Sequence, residues 1–189
     1  ALLLIVALIT VVMAACGNSE NEAQSGADEE GLKIAIVTSL SGVDDGNFNE
    51  DNYNGILSFV ENNPTATVTA IKEESGDPAA AVQAVADIVA DYDVIVTPGF
   101  QFAGVSSIAV ENPDKTFILI DAEPTAIGEQ TTFDNIYAMT FAEQEGGFFA
   151  GMAAALETKT NKVAVVNGIA YPSNVNYQFG FESGVNYVN

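Results

Sequence analysis

The side chains best suited to chemistry in this chain are carboxylates, amides and aromatic rings, and no histidine accompanies them. Asp44 and Asp45 follow Ser39-Leu40-Ser41-Gly42-Val43, Phe100 follows Thr97-Pro98-Gly99, Asp121 opens Asp121-Ala122-Glu123, and Asn167-Gly168 adds an amide. Carboxylates accept hydrogen bonds from hydroxyls, and an aromatic face stacks on a planar base or a pyranose face. That mixture suits a sugar or a nucleoside. Without histidine there is no Ser-His-Asp triad, no Cys-His dyad, no HExxH zinc site and no imidazole proton shuttle. The single cysteine forms no internal disulfide and cannot supply the thiolates of a structural zinc site.

Charge narrows the ligand further. The chain carries 26 acidic residues against five lysines, with no arginine, for a net charge of −21. A phosphate backbone would be repelled, so nucleic acid is not an expected partner. Lys33 is expected at the far end of its strand, which favours an uncharged nucleoside over a nucleotide. Asp44, Asp45 and Asp121 could instead hold magnesium, as in a phospho-receiver, or calcium in an exported nucleoside hydrolase. A receiver also needs a lysine after a late strand, whereas Lys159 and Lys162 precede one. The reading adopted here has no catalytic residues, no metal and no cofactor.

Elements of two kinds must position these residues. IAIVTS (34–39) reads as a strand buried on both faces, followed by a helix over about 49–61 that Asn62-Asn63-Pro64 stops. VTAIKE (68–73) is a second strand, and Asp77-Pro78 opens a second helix with a capping carboxylate and a proline at its first position. DVIVTPG supplies a third strand, 102–111 a third helix, TFILID (116–121) a fourth strand, and IYAMT (136–140) a further strand or crossing segment. Repeated strand-helix-strand units predict a parallel sheet covered by helices on both faces, with ligands held beyond the carboxyl ends of the strands. The pattern restarts near Ala142 with the helix EGGFFAGMAAALE, the strand KVAVVNG and a helix over about 174–186. Gly146, Gly147 and Gly151 fit close helix packing better than phosphate binding, since no GxxxxGK[ST] pattern accompanies them.

At the front, 1–15 form an uncharged apolar run ending in small residues, shorter than the roughly 20 residues of a membrane-spanning helix. The run matches the apolar and cleavage regions of an export signal. Residues 17–31 hold five acidic residues and three glycines with almost nothing apolar, the composition of a self-repelling tether. The expected organisation is therefore a signal segment at 1–16, a disordered acidic tether at 17–31, an N-terminal α/β lobe at 32–141 and the start of a second α/β lobe at 142–189. The positively charged start of such a signal would lie ahead of Ala1, and three elements cannot close a second parallel sheet, so the chain is expected to continue at both ends.

Two resemblances sharpen this reading. Met13-Ala14-Ala15-Cys16-Gly17 resembles a bacterial lipobox, which implies lipidation of Cys16 and anchoring to the outer face of a bacterial cell membrane. KIAIVTSLSGVDDGNFNEDNYNGIL (33–57) resembles the opening of the basic membrane protein family of substrate-binding lipoproteins. DVIVTPGFQF, NPDKTFILID, the EGGFFAGMAAAL helix with KTNKVAVVNG behind it, and FGFESGV are similar to later family motifs in the same order. The resemblance implies a two-lobed, type I periplasmic-binding fold, each lobe a parallel sheet flanked by helices, with the second lobe incomplete here. It implies capture of purine nucleosides for an ABC importer, with its permease and ATPase as partners. By position it carries ligand binding onto Asp45, Asn49 and Asp121, with neighbouring Asp44, with Tyr53 or Phe100 as a stacking ring, and with Phe179 in the second-lobe aromatic block. Ser39, Gly46 and Asn47 depart from the family pattern, which leaves a ribose-like sugar receptor or a ligand sensor of the same fold as alternatives.

Overall fold

The computed structural model describes residues 31–188. The expectations for the signal segment, for Cys16 and for nearly all of the acidic tether fall outside the described residues. Five strands, β1 (Lys33–Ser39), β2 (Thr67–Glu73), β3 (Val94–Pro98), β4 (Thr116–Ile120) and β5 (Ile136–Met139), form one sheet in the order β2-β1-β3-β4-β5. Every pairing is parallel. Helices α1 (Phe48–Asn62), α2 (Pro78–Ile88) and α3 (Ser106–Glu111) connect the strands.

Alternation along each strand explains how the sheet is covered. Ile34, Ile36, Val96 and Ile120 face one way and pack with Tyr53, Ile56 and Val60 of α1. Val37, Ile95, Phe117 and Leu119 face the other way and pack with Ala81 and Val85 of α2 and with Phe102, Val105 and Ile108. Successive side chains of a strand point to opposite faces, so a strand apolar at every position needs helices on both sides. Asp77 caps α2 as expected, its carboxylate accepting from the N–H groups of Ala79 at 2.9 Å and Ala80 at 3.0 Å. The expected third helix is divided: Phe100–Val105 winds as a 3₁₀ segment before α3 begins. Gly99, at φ 109°, lets the chain turn directly from β3 into that tighter coil.

Beyond β5 the chain changes character. Only 140–142 separate Met139 from helix α4 (Glu143–Glu157), and helix α5 (Pro172–Val188) lies against α4. The expected KVAVVNG strand is not formed. A strand needs a neighbour to bond with, and no further described strand flanks this segment; Val166 is 95% exposed. The α5 helix also begins earlier than expected, at Pro172. Close packing through glycine is observed: a Cβ on Gly147 or Gly151 would strike the carbonyl of Tyr177 or Phe181, and one on Gly180 or Gly184 that of Gln144 or Phe148. Among the described residues, no helix is long and apolar enough to cross a membrane.

Candidate functional site

Strand β1 has β2 on one side and β3 on the other, so the connections leaving β1 and β3 diverge and open a crevice at their carboxyl ends. The chain is strained around that edge. Leu40, just after β1, has φ 64°, and Asp121, just after β4, has φ 59°. Such left-handed backbone costs about 1–3 kcal/mol in a non-glycine residue and clusters at binding sites. The Asp121 N–H donates to the Met139 carbonyl at 2.8 Å, which extends the β4–β5 pairing by one bond and holds the turn.

A cavity of about 310 Å³ lies on the β3 side of that edge, at the carboxyl ends of β3, β4 and β5. Phe100, Asp121, Ala122 and Glu123 line it from the strand ends of the sheet, Thr140 and Phe141 from the connection, Glu143, Ser173 and Asn176 from the helix pair, and Tyr171 from just ahead of α5. The rings of Phe100 and Tyr171 stack, with centroids 3.7 Å apart and planes 25° from parallel. A second hollow of about 360 Å³ continues it past Phe48, Gly146 and Tyr177 and shares Asp121, Phe141, Glu143 and Ser173. Burial, the charge of Glu143 and a side-chain hydrogen bond with Glu143 each raise the pKa of Asp121. Asn176 Nδ2 donates to Glu143 Oε2 at 3.2 Å, so carboxylates and hydrogen-bond donors share the wall.

The expected site residues divide over the molecule. Phe100 and Asp121 come together in this cavity. Asp45 instead closes the start of α1, accepting from the N–H groups of Asn47 at 2.9 Å, Glu50 at 3.1 Å and Asn49 at 3.3 Å. Partial desolvation pushes its pKa up, but those backbone donors outweigh it and hold the carboxyl below its ordinary value. Asn49 lies inside α1 rather than capping it. It is buried, and its Nδ2 donates to the Ser41 carbonyl at 3.2 Å, bracing the loop. Asp44 is exposed on that loop. Tyr53 packs against the α1 face of the core, and Phe179 lines a separate hollow with Phe148 and Phe149. Among the described residues, no cluster of three acidic or cysteine side chains is placed to hold a metal ion, so Asp44, Asp45 and Asp121 do not converge.

A family model described as "ABC transporter substrate-binding protein PnrA-like" matches residues 32–189. The chain belongs to that family. A Lactococcus lactis subsp. cremoris relative, "ABC transporter nucleoside-binding protein BmpA", is 28% identical over 95% of this chain and 50% of its own length. "Basic membrane protein A" of Borreliella burgdorferi is 29% identical over 100% of this chain and 52% of its own. The chain thus spans about half the length of the curated relatives it matches. Among solved structures, an ABC transporter solute-binding protein from Aeropyrum pernix K1 superposes with a TM-score of 0.67 at 25% identity, over 84% of this chain and 44% of that one. A Bacillus halodurans protein titled a transcriptional activator of the comK gene superposes with a TM-score of 0.54 at 26% identity, over 84% and 50%. The fold is that of the periplasmic binding proteins, with one parallel-sheet lobe present in the described residues.

Within this family member, sequence reasoning missed Phe141, Glu143 and Tyr171. Phe141 and Glu143 flank the point where the chain leaves the sheet. Tyr171 precedes Pro172, and an aromatic ahead of a proline that starts a helix is the signal that could have drawn attention to it.

Proposed function

We propose that this chain is the ligand-capturing part of an ABC importer, and that it binds a nucleoside at the carboxyl edge of the sheet. The observation that carries this reading is the cavity where Phe100 and Tyr171 offer ring faces beside Asp121, Glu123 and Glu143, in a chain of the PnrA-like family. A planar base stacks on the rings, and ribose hydroxyls donate to the carboxylates. Among the described residues no lysine lines the cavity, which disfavours a phosphorylated ligand. Closure around the guest biases the connection at 140–142 toward the shut form and presents the complex to a permease. The L. lactis relative's nucleoside-binding name supports the same reading.

The division into a lobe at 32–141 and a second beginning at 142, and lipidation of Cys16 on the outer face of the membrane, belong to this proposal. Calorimetry on the full-length protein with adenosine, guanosine, inosine and ribose tests the ligand. Heat with nucleosides and little with ribose is expected, and no heat with any nucleoside overturns the reading. Fatty-acid labelling abolished by Cys16→Ser tests the anchor. A second reading, a ligand sensor, is favoured by the likeness to the B. halodurans protein. Recovery of the protein with a permease rather than a signalling partner separates the two.

A further inference from the structure

We propose that Phe100 and Tyr171 form a latch: the two rings close on each other, and a flat guest enters by parting them and taking the place between. The inference rests on the nucleoside reading above and adds how access to that site is regulated. The ring centroids are 3.7 Å apart and the planes 25° from parallel, so each ring covers a face of the other. Both rings line the cavity and both are half-buried. A base held between them needs two van der Waals separations of about 3.5 Å each, so the rings must stand about 7 Å apart to admit it. The ring stack and the sandwich exclude each other.

The rings come from two parts of the chain that can separate. Phe100 is fixed to the sheet, since the Gly99 N–H donates to the Ile120 carbonyl at 2.8 Å and the Phe102 N–H to the Gly99 carbonyl at 3.2 Å. Tyr171 travels with the helix pair. Its carbonyl accepts from the Val175 N–H at 2.9 Å in the first turn of α5, and α5 is locked to α4 through Gly147 and Gly180. The covalent connection between that pair and the sheet is the short segment 140–142. A pivot of the helices therefore lifts Tyr171 off Phe100 and leaves the backbone bonds that hold each ring intact. Opening costs the ring stack, and the guest replaces it with two stacking contacts. Only the parted fraction of molecules can take the guest, so the latch slows capture and lowers apparent affinity by that fraction.

The test is the association and dissociation rate of inosine on the full-length protein, measured for the unaltered chain, Tyr171→Leu and Tyr171→Phe. Tyr171→Leu removes the latch and one plate of the sandwich together, so both rates are expected to rise. Association should quicken about two- to tenfold, the range of one aromatic pair, and dissociation by a similar factor. Tyr171→Phe keeps the ring and is expected to retain both rates. An association rate that does not rise in Tyr171→Leu overturns the latch, whatever dissociation does, and leaves nucleoside capture standing. Equally fast association in Tyr171→Phe assigns the effect to the hydroxyl and overturns it too. An unchanged thermal midpoint shows that Tyr171→Leu is folded; if the midpoint drops, Phe100→Leu, which removes the other ring, must give the same two faster rates or the latch is overturned. No binding of inosine by the unaltered protein removes the latch and the reading beneath it together.

Discussion

The sheet region, 33–139, is held by buried side chains, whereas α4 and α5 meet backbone to backbone. In the first, Phe102, Phe117, Ile95 and Leu119 are enclosed between two layers. In the second, the buried positions of the two helices are Gly147, Gly151, Gly180 and Gly184, and Phe149, Leu156, Phe179 and Tyr187 remain 67–71% exposed. Apolar burial gains stability in proportion to area, while close backbone approach gains dispersion and fixes register with little area removed from water. The sheet region therefore carries its own stability, and the helix pair depends on shape. Both meet at the cavity.

Substitutions test this contrast. The largest effect is expected from Phe102→Ala, which empties a fully enclosed site and should cost about 3–5 kcal/mol in urea denaturation of the full-length protein. A loss under 1 kcal/mol would mean the face under α2 collapses to fill the gap. Gly180→Ala should cost less, about 1–3 kcal/mol, because the added methyl must push the Gln144 carbonyl away. Hydrogen exchange should speed up in α4 and α5 and stay slow in β1, β3 and β4. Faster exchange in those strands as well would show that the two regions open as one unit.

The smallest effect concerns Glu73 at the end of β2. Its carboxylate accepts from Ser39 Oγ at 2.9 Å and from the Gly76 N–H at 2.9 Å, besides Ser75. Hydrogen bonds from Ser75 above all, against a desolvation that opposes them, hold its pKa at about 2 instead of the ordinary 4.5. A depressed value means the ionised form is favoured by folding. Its contribution is present above 4.5 and fades as pH falls toward 2. Glu73→Gln should melt slightly lower at neutral pH and show a shallower decline of the melting temperature across that acid window. An unchanged acid profile would show that these bonds do not persist in solution.

The first four strands were legible because each is a short run rich in apolar residues and closed by a glycine, proline or acidic turn, whereas IYAMT, with no such turn behind it, reads equally as a strand or a crossing segment. Asp77-Pro78 announced its helix without ambiguity. The carboxyl-edge rule put Phe100 and Asp121 at the strand ends, and one cavity is lined by both. Two things were hidden. Asp45 and Asn49 have types that suit a ligand, yet their bonds go to the backbone of their own loop and helix, which no spacing reveals. Phe141, Glu143 and Tyr171 reach the cavity from segments whose geometry depends on how α4 and α5 pack. The KVAVVNG run has the composition of a strand, but pairing requires a second chain segment, and composition cannot supply one.

The connection at 140–142 has a consequence for how the molecule can move. A span of three residues reaches at most about 10 Å, and its middle residue, Phe141, looks into the cavity. The helices can pivot on so short a strap but cannot drift away, and any pivot must carry that phenyl ring with it. A visitor pressing on Phe141 would thus be felt at the axle itself, as a hand laid on a hinge pin rather than on the door.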